Sequence, residues 1–202
     1  VANVHVDYEE RLRGLVEASR QLMDALRAVR SLGLASWCIG AGVIRSLVWD
    51  SLHGFREPSH VQDVDVAYFA PDAAAYLDRE LQRQLSVLNP ALAWEVTNQA
   101  KVHEWLVDDA GHAVPPVDSL EGGLATWPEF ATCVGVYLTS HDVVKVVAPY
   151  GLNDLFELQV RHNTCRASAA TYLERVRSKQ FRERWPRLTI FPPSPRSAIE
   201  DR

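Results

Sequence analysis

Nothing in the chain suggests a membrane protein, a secreted scaffold or a zinc module. No apolar run approaches the roughly 20 residues that a bilayer-crossing helix needs, so no membrane partner is expected. The N-terminus has no basic stretch leading into an apolar segment and a small-residue cleavage site, which leaves a cytoplasmic location as the expectation. Cysteine is scarce: Cys38, Cys133 and Cys165 are odd in number and far apart, with no CxxC pair. That excludes a disulfide framework and a zinc knuckle, and buried reduced thiols are the simplest reading. A basic excess is also missing. The net charge of −5 over 202 residues argues against a protein that coats phosphate backbones, and no DNA partner is expected. A local basic pocket remains compatible with it.

What is present is an ordinary globular composition, 47% hydrophobic and 23% charged, enough for one substantial domain. Leu12, Leu15, Val16, Leu22, Met23, Leu26 and Val29 recur at threes and fours, which predicts one amphipathic helix over 8–31, closed by Gly33. Residues 35–39 read as a short buried strand, followed at once by Gly40-Ala41-Gly42 and a helix over 43–52. The clearest strand spans 61–69; a helix over 73–88, stopped by Asn89-Pro90, and a strand over 92–97 follow. A second β region covers 133–138, 143–148 and 158–162, and a basic amphipathic helix is expected over 167–185. Residues 191–202, with Pro192, Pro193 and Pro195, read as a mobile tail beyond a single domain of 1–190. The interleaving of helices and strands is that of an α+β protein.

The chemistry concentrates in Asp63-Val64-Asp65-Val66. Residues two apart on a strand share a face, so both carboxylates project together while Val64 and Val66 point into the core. Paired carboxylates repel unless a cation lies between them, and Mg2+ (or Mn2+) with phosphate oxygens completing its shell suits the pair. Glu95, in Trp94-Glu95-Val96-Thr97, would join them from a neighbouring strand as a third metal ligand or as a general base. Gly40, Ala41 and Gly42 offer backbone N–H groups at a helix start, where phosphate is favoured, with Arg45 and Ser46 one turn further on. Lys145, alternating with Val144 and Val146, is a further candidate for a triphosphate. Asn98, Gln99, Lys101 and His103 could line the same pocket, whereas Arg175, Arg177, Arg182 and Arg184 read mostly as a solvated face.

A glycine turn opening a helix, a strand bearing DxD and a later strand carboxylate together resemble the DNA polymerase β-like nucleotidyltransferase superfamily. More closely, Ile39–Arg45, Asp63–Val66, Trp94–Ala100, Thr126–Pro128 and Ala148–Phe156 look like a bacterial nucleotidyltransferase family once catalogued as a domain of unknown function. The similarity runs from about Trp37 to Trp185. It implies a central mixed sheet flanked by helices, with Asp63, Asp65 and Glu95 as metal ligands and nucleotide phosphates near Gly40 to Arg45. It also implies an NTP donor and an acceptor that is a small molecule, protein or RNA; the alternative is a non-catalytic nucleotide-binding or regulatory protein on the same fold. Two features depart from the pattern. The turn has Ala41 where the superfamily has Gly or Ser, and the distance from Gly40 to Asp63 is longer than usual.

Overall fold

The computed structural model describes residues 7–108 and 111–194. The chain opens with two helices, α1 (Tyr8–Ala18) and α2 (Arg20–Ser31), where the periodicity predicts one. Ser19 separates them: its backbone is extended, and its hydroxyl accepts from the Leu22 N–H to start α2. Strand β1 (Trp37–Gly40) leads through Ala41 into α3 (Gly42–His53), which Gly54 ends in the left-handed conformation. Next come β2 (Val64–Tyr68), α4 (Leu77–Leu88) and β3 (Trp94–Asn98), then a 3-10 turn over Gln99–Glu104 and the short α5 (Leu120–Leu124). A hairpin of β4 (Gly135–Leu138) and β5 (Val144–Val147) follows, then α6 (Asn153–Phe156) and β6 (Gln159–Val160). The chain finishes with α7 (Ala169–Ser178), α8 (Phe181–Arg184) and β7 (Thr189–Ile190). The expected single helix over 167–185 is therefore two, broken at Gln180, whose φ of 51° cannot continue a right-handed helix. Strand β7 was not anticipated; it pairs in parallel with β6, so the chain stays packed to Ile190. Of the expected tail, residues 195–202 lie outside the described residues.

Five strands form one mixed sheet in the order β3-β2-β1-β4-β5, in which only β2 and β3 run parallel. The parallel pair needs a crossover, and α4 supplies it. Alternation along each strand then sorts the side chains. Trp37, Ile39, Val64, Val66, Tyr68, Trp94, Val96, Val136, Leu138 and Val144 face the main core beneath the helices. Cys38, Ala67, Leu120 and Leu124 make a smaller cluster on the opposite face, where α5 covers part of the sheet. The uncovered part of that second face is the floor of the cavity described below.

The C-terminal helices are anchored to α3. Trp49, Phe181 and Trp185 pack edge-on with centroids 5.1–6.4 Å apart. The Trp185 indole N–H donates to Asp50 at 2.7 Å and the Trp49 indole N–H to the Leu155 carbonyl at 2.9 Å. Asp50 also accepts from the Ser59 N–H and hydroxyl, which ties the loop before β2 to the same knot. These contacts fix α8 and Trp185 against α3.

Candidate functional site

Strand register builds the site. Asp65 stands opposite Glu95 on one side and Gly40 on the other, and Gly40 stands opposite Gly135. The row Glu95–Asp65–Gly40–Gly135 crosses four strands on the less covered face of the sheet. Asp63 lies just before β2 rather than in the middle of a strand as expected, yet it lines the same cavity as Asp65 and Glu95. The two glycines have a steric reason. A Cβ on Gly40 would sit 2.7 Å from the Trp127 ring, and one on Gly135 only 2.4 Å from the Cys38 sulfur. Trp127 thus lies directly on the row beside the carboxylates, as cavity wall as well as packing.

Burial, then the charges of Asp63 and Glu95, push the Asp65 carboxyl up to about 6; an N–H bond from Gly42 and the charge of Lys179 work the other way. Among the described residues none of the three carboxylates takes part in an ion pair. Nor does any group of three His, Cys, Asp or Glu side chains among the described residues form a ready-made metal cage.

The same cavity, of about 430 Å3, is also lined by positive charge from, among others, Arg45, Arg166, Arg175 and Lys179. Arg45 projects from α3 and is 4% exposed. Its guanidinium lies 4.8 Å from the Phe181 ring centroid and 5.4 and 5.7 Å from those of Trp49 and Trp185, a favourable setting for a cation. Its Nε is buried without a hydrogen-bond partner. Burial, opposed by the charge of Glu129, pulls its pKa down to about 10. Arg175 is held differently. Its guanidinium donates to the fully buried Glu129 carboxylate at 2.7 and 3.2 Å, and that carboxylate also accepts from the Thr132 hydroxyl. Burial works against the Arg175 charge, but Glu129 outweighs it and raises the pKa.

The glycine turn joins the two halves. Ala41 adopts φ 51°, ψ −118°, a conformation that costs an L-residue energy, while its N–H donates to the Val134 carbonyl and its own carbonyl accepts from Arg45. The turn therefore points α3, and Arg45 with it, over the carboxylate row.

The sequence profile of a family described as nucleotidyltransferase matches residues 27–190. The chain belongs to that family. Solved structures agree on the fold. An NMR structure whose description reports a CCA-adding enzyme head domain superposes with a TM-score of 0.73 at 24% identity, covering 93% of this chain and 97% of that one. A CCA-adding enzyme in complex with CTP gives 0.54 at 13% identity, and the Thermotoga maritima CCA-adding enzyme complexed with tRNA gives 0.51 at 14%. Each of these two is covered for 90% of this chain but only 43% and 42% of the enzyme, so the chain spans under half of their length. No curated protein sequence matches the chain.

Of the residues singled out from the sequence, the fold brings Asp63, Asp65, Glu95, Ala41, Gly42, Arg45 and Gln99 to one cavity, with Gly40 on the adjoining row. Ser46 is buried in α3 and does not line the cavity. Lys145 shares the sheet face with Asp65 but lies on the far edge strand β5. Three strand spacings of about 4.8 Å put its backbone about 15 Å from β2. Asn98 is structural, exchanging hydrogen bonds with the Ala70 backbone, and Lys101 pairs with Glu104. Asp154 is taken up by a two-pronged ion pair with Arg161. Cys38 and Cys133 are buried as expected, whereas Cys165 is exposed.

Arg175 was not recognisable as anything but a solvated charge. Thr171, Arg175 and Lys179 follow an i, i+4, i+8 spacing that puts one stripe of α7 on the cavity. The apolar wall of Trp105, Leu106, Val107 and Val114 was missed as well. Its signal was present in the sequence as a large aromatic, Trp105, ten residues after Glu95.

Proposed function

We propose that the protein is a metal-dependent nucleotidyltransferase that moves a nucleoside monophosphate from an NTP to a hydroxyl or phosphate acceptor. The observation that carries this reading is that one cavity is lined by both signs of charge. Asp65 on β2 and Glu95 on β3 are free of ion pairs among the described residues, and the buried Arg45 guanidinium, whose Nε finds no hydrogen-bond partner among them, reaches the same cavity from α3 beside Gly42. A magnesium nucleoside triphosphate complements both walls, since its cation meets the carboxylates and its phosphates meet Arg45.

The carboxylates suit such a cation. Asp63, Asp65 and Glu95 supply hard oxygen donors, and a cation would offset both the burial and the neighbouring charges that raise the Asp65 pKa. They do not form a closed cage, which fits a metal that keeps water and phosphate oxygens in its shell. Bound there, Mg2+ or Mn2+ would neutralise phosphate charge and make an attacking hydroxyl more acidic. The protein's own contributions are then distinct. Arg45 holds phosphate oxygens in a setting dry enough to strengthen the contact, with Lys179 at the same cavity. Gly42 at the head of α3 offers backbone next to Asp65. Glu95, exposed and opposite Asp65, is placed either to complete the cation's ligands or to accept the proton of the acceptor. The names of the structural neighbours, one with CTP and one with tRNA, support an NTP as donor.

The test is thermal stability of wild type and Asp63→Asn/Asp65→Asn with Mg2+ and each of the four NTPs, followed by transfer assays with α-labelled NTP. A ligand at about a hundred times its Kd adds about 2.7 kcal/mol, a shift of several degrees for a protein of this size. A metal-dependent shift that the double variant loses supports the site and names the donor. No shift with any NTP would overturn the proposal; a shift without transfer would favour a non-catalytic nucleotide-binding protein.

A further inference from the structure

We propose that Trp105 is the platform on which the base of the donor nucleotide stacks, a deepening that rests on the reading that an NTP occupies the cavity. Trp105 is 65% exposed, a costly position for the largest apolar side chain, and it borders the charged cavity directly. Its indole has no ring partner or hydrogen bond among the described residues. Val107, 55% exposed, and the buried Val114 extend the same wall.

The wall is held by backbone bonds rather than left as a loose loop. The Trp105 and Leu106 N–H groups both donate to the Val102 carbonyl, at 3.3 and 2.9 Å. The Val114 N–H donates to the Leu106 carbonyl, and Val107 bridges to Ala113. The 3-10 turn over Gln99–Glu104 ties this hairpin to the end of β3, the strand that carries Glu95. Trp105 is therefore fixed relative to the carboxylates.

The cavity thus has three zones with different chemistry: carboxylates on the sheet, cations on α3 and α7, and an aromatic and aliphatic wall on the hairpin. A magnesium nucleoside triphosphate has the matching three parts: the cation, the anionic phosphate chain and a flat base with an exposed π face. Stacking on an indole uses the π face that every base has, so Trp105 would support affinity for all four NTPs with little discrimination among them.

Isothermal titration of Mg-ATP, Mg-CTP, Mg-GTP, Mg-UTP and Mg-tripolyphosphate against wild type, Trp105→Ala and Trp105→Phe tests this. Because the side chain is mostly exposed, neither variant should disturb the fold, and a circular dichroism melt checks that. Trp105→Ala should weaken the NTPs about 5- to 150-fold and leave tripolyphosphate unchanged, while Trp105→Phe restores most of the loss. Equal loss for NTPs and tripolyphosphate would overturn the proposal, because Trp105 would then be shaping the phosphate site. Unchanged NTP affinity with a raised KM for acceptor alone would overturn it too, assigning the wall to the acceptor. Wild type that binds tripolyphosphate and NTPs equally would sink the platform but spare the NTP site; wild type that binds neither would sink both.

Discussion

Replacing Asp65 by Asn should stabilise the metal-free protein at neutral pH while removing its activity. Burial and the neighbouring carboxylates raise the Asp65 pKa from an ordinary 3.8 to about 6. The folded state therefore binds this proton more tightly than the unfolded chain does. Between those two pH values the folded state carries more protons, so stability from this group falls as pH rises, by up to about 1.4 kcal/mol per unit. Above pH 6 the loss is complete at about 3 kcal/mol; below pH 4 both states are protonated and there is none. Asn carries no charge to lose. Its side-chain oxygen can still accept from the Gly42 N–H, and the stronger bond that the charged form makes is already part of the shift to about 6. The gain expected at pH 7.5 is about 3 kcal/mol, or about 6–12 °C in Tm for a protein of this length. Differential scanning calorimetry of both proteins in EDTA, at intervals from pH 4 to 8, reads it directly. The two Tm curves should meet near pH 4 and diverge to a plateau above pH 6.5. A difference that does not change with pH, or an Asn variant less stable at pH 7.5, would refute the argument that the carboxylate row is electrostatically strained.

Arg45→Met should leave Tm within about 2–3 °C of wild type or raise it, because it replaces a buried charge lacking an ion pair with an apolar chain among three rings. The same variant should lose at least tenfold in affinity for Mg-tripolyphosphate by titration calorimetry; retained affinity would remove Arg45 from the phosphate site. Ala41→Gly should raise stability by about 1 kcal/mol in urea unfolding, since the φ of 51° and ψ of −118° strain alanine but not glycine. A fall would mean that the methyl group makes contacts that outweigh the strain.

The sheet and the carboxylates were readable in the sequence because each rests on a local pattern. Alternation in Val64-Asp65-Val66 fixes which side chain faces the core, and the same rule places Glu95 on the outer face of β3. Two helix boundaries failed for an equally local reason. Hydrophobic spacing runs on through Ser19 and Gln180, but a side-chain cap interrupts the first helix and a left-handed backbone the last. Lys145 illustrates a different limit. Alternation put it on the correct face, but the order of strands, which no local pattern specifies, moved it to the far edge.

The cationic wall shows why that limit matters most for the site. Arg175 is one arginine in a basic helix, and nothing in its neighbours marks it. Its placement depends on Glu129, 46 residues away in the chain, which its guanidinium binds. Net charge is silent for the same reason: a total of −5 says nothing about where twenty-one Lys and Arg residues lie, and four of them line one cavity. Asp65 and Glu95 can be found from alternation because each holds an outward position on its strand. The groups that would hold the phosphates come from α3 and α7, so only the fold brings them to the same cavity. A sequence reading of this kind of site is therefore strongest for the cation's ligands and weakest for the anion's, and variants of Arg45 discriminate between functional readings better than variants of Asp65, whose loss would disable any cation-dependent reaction.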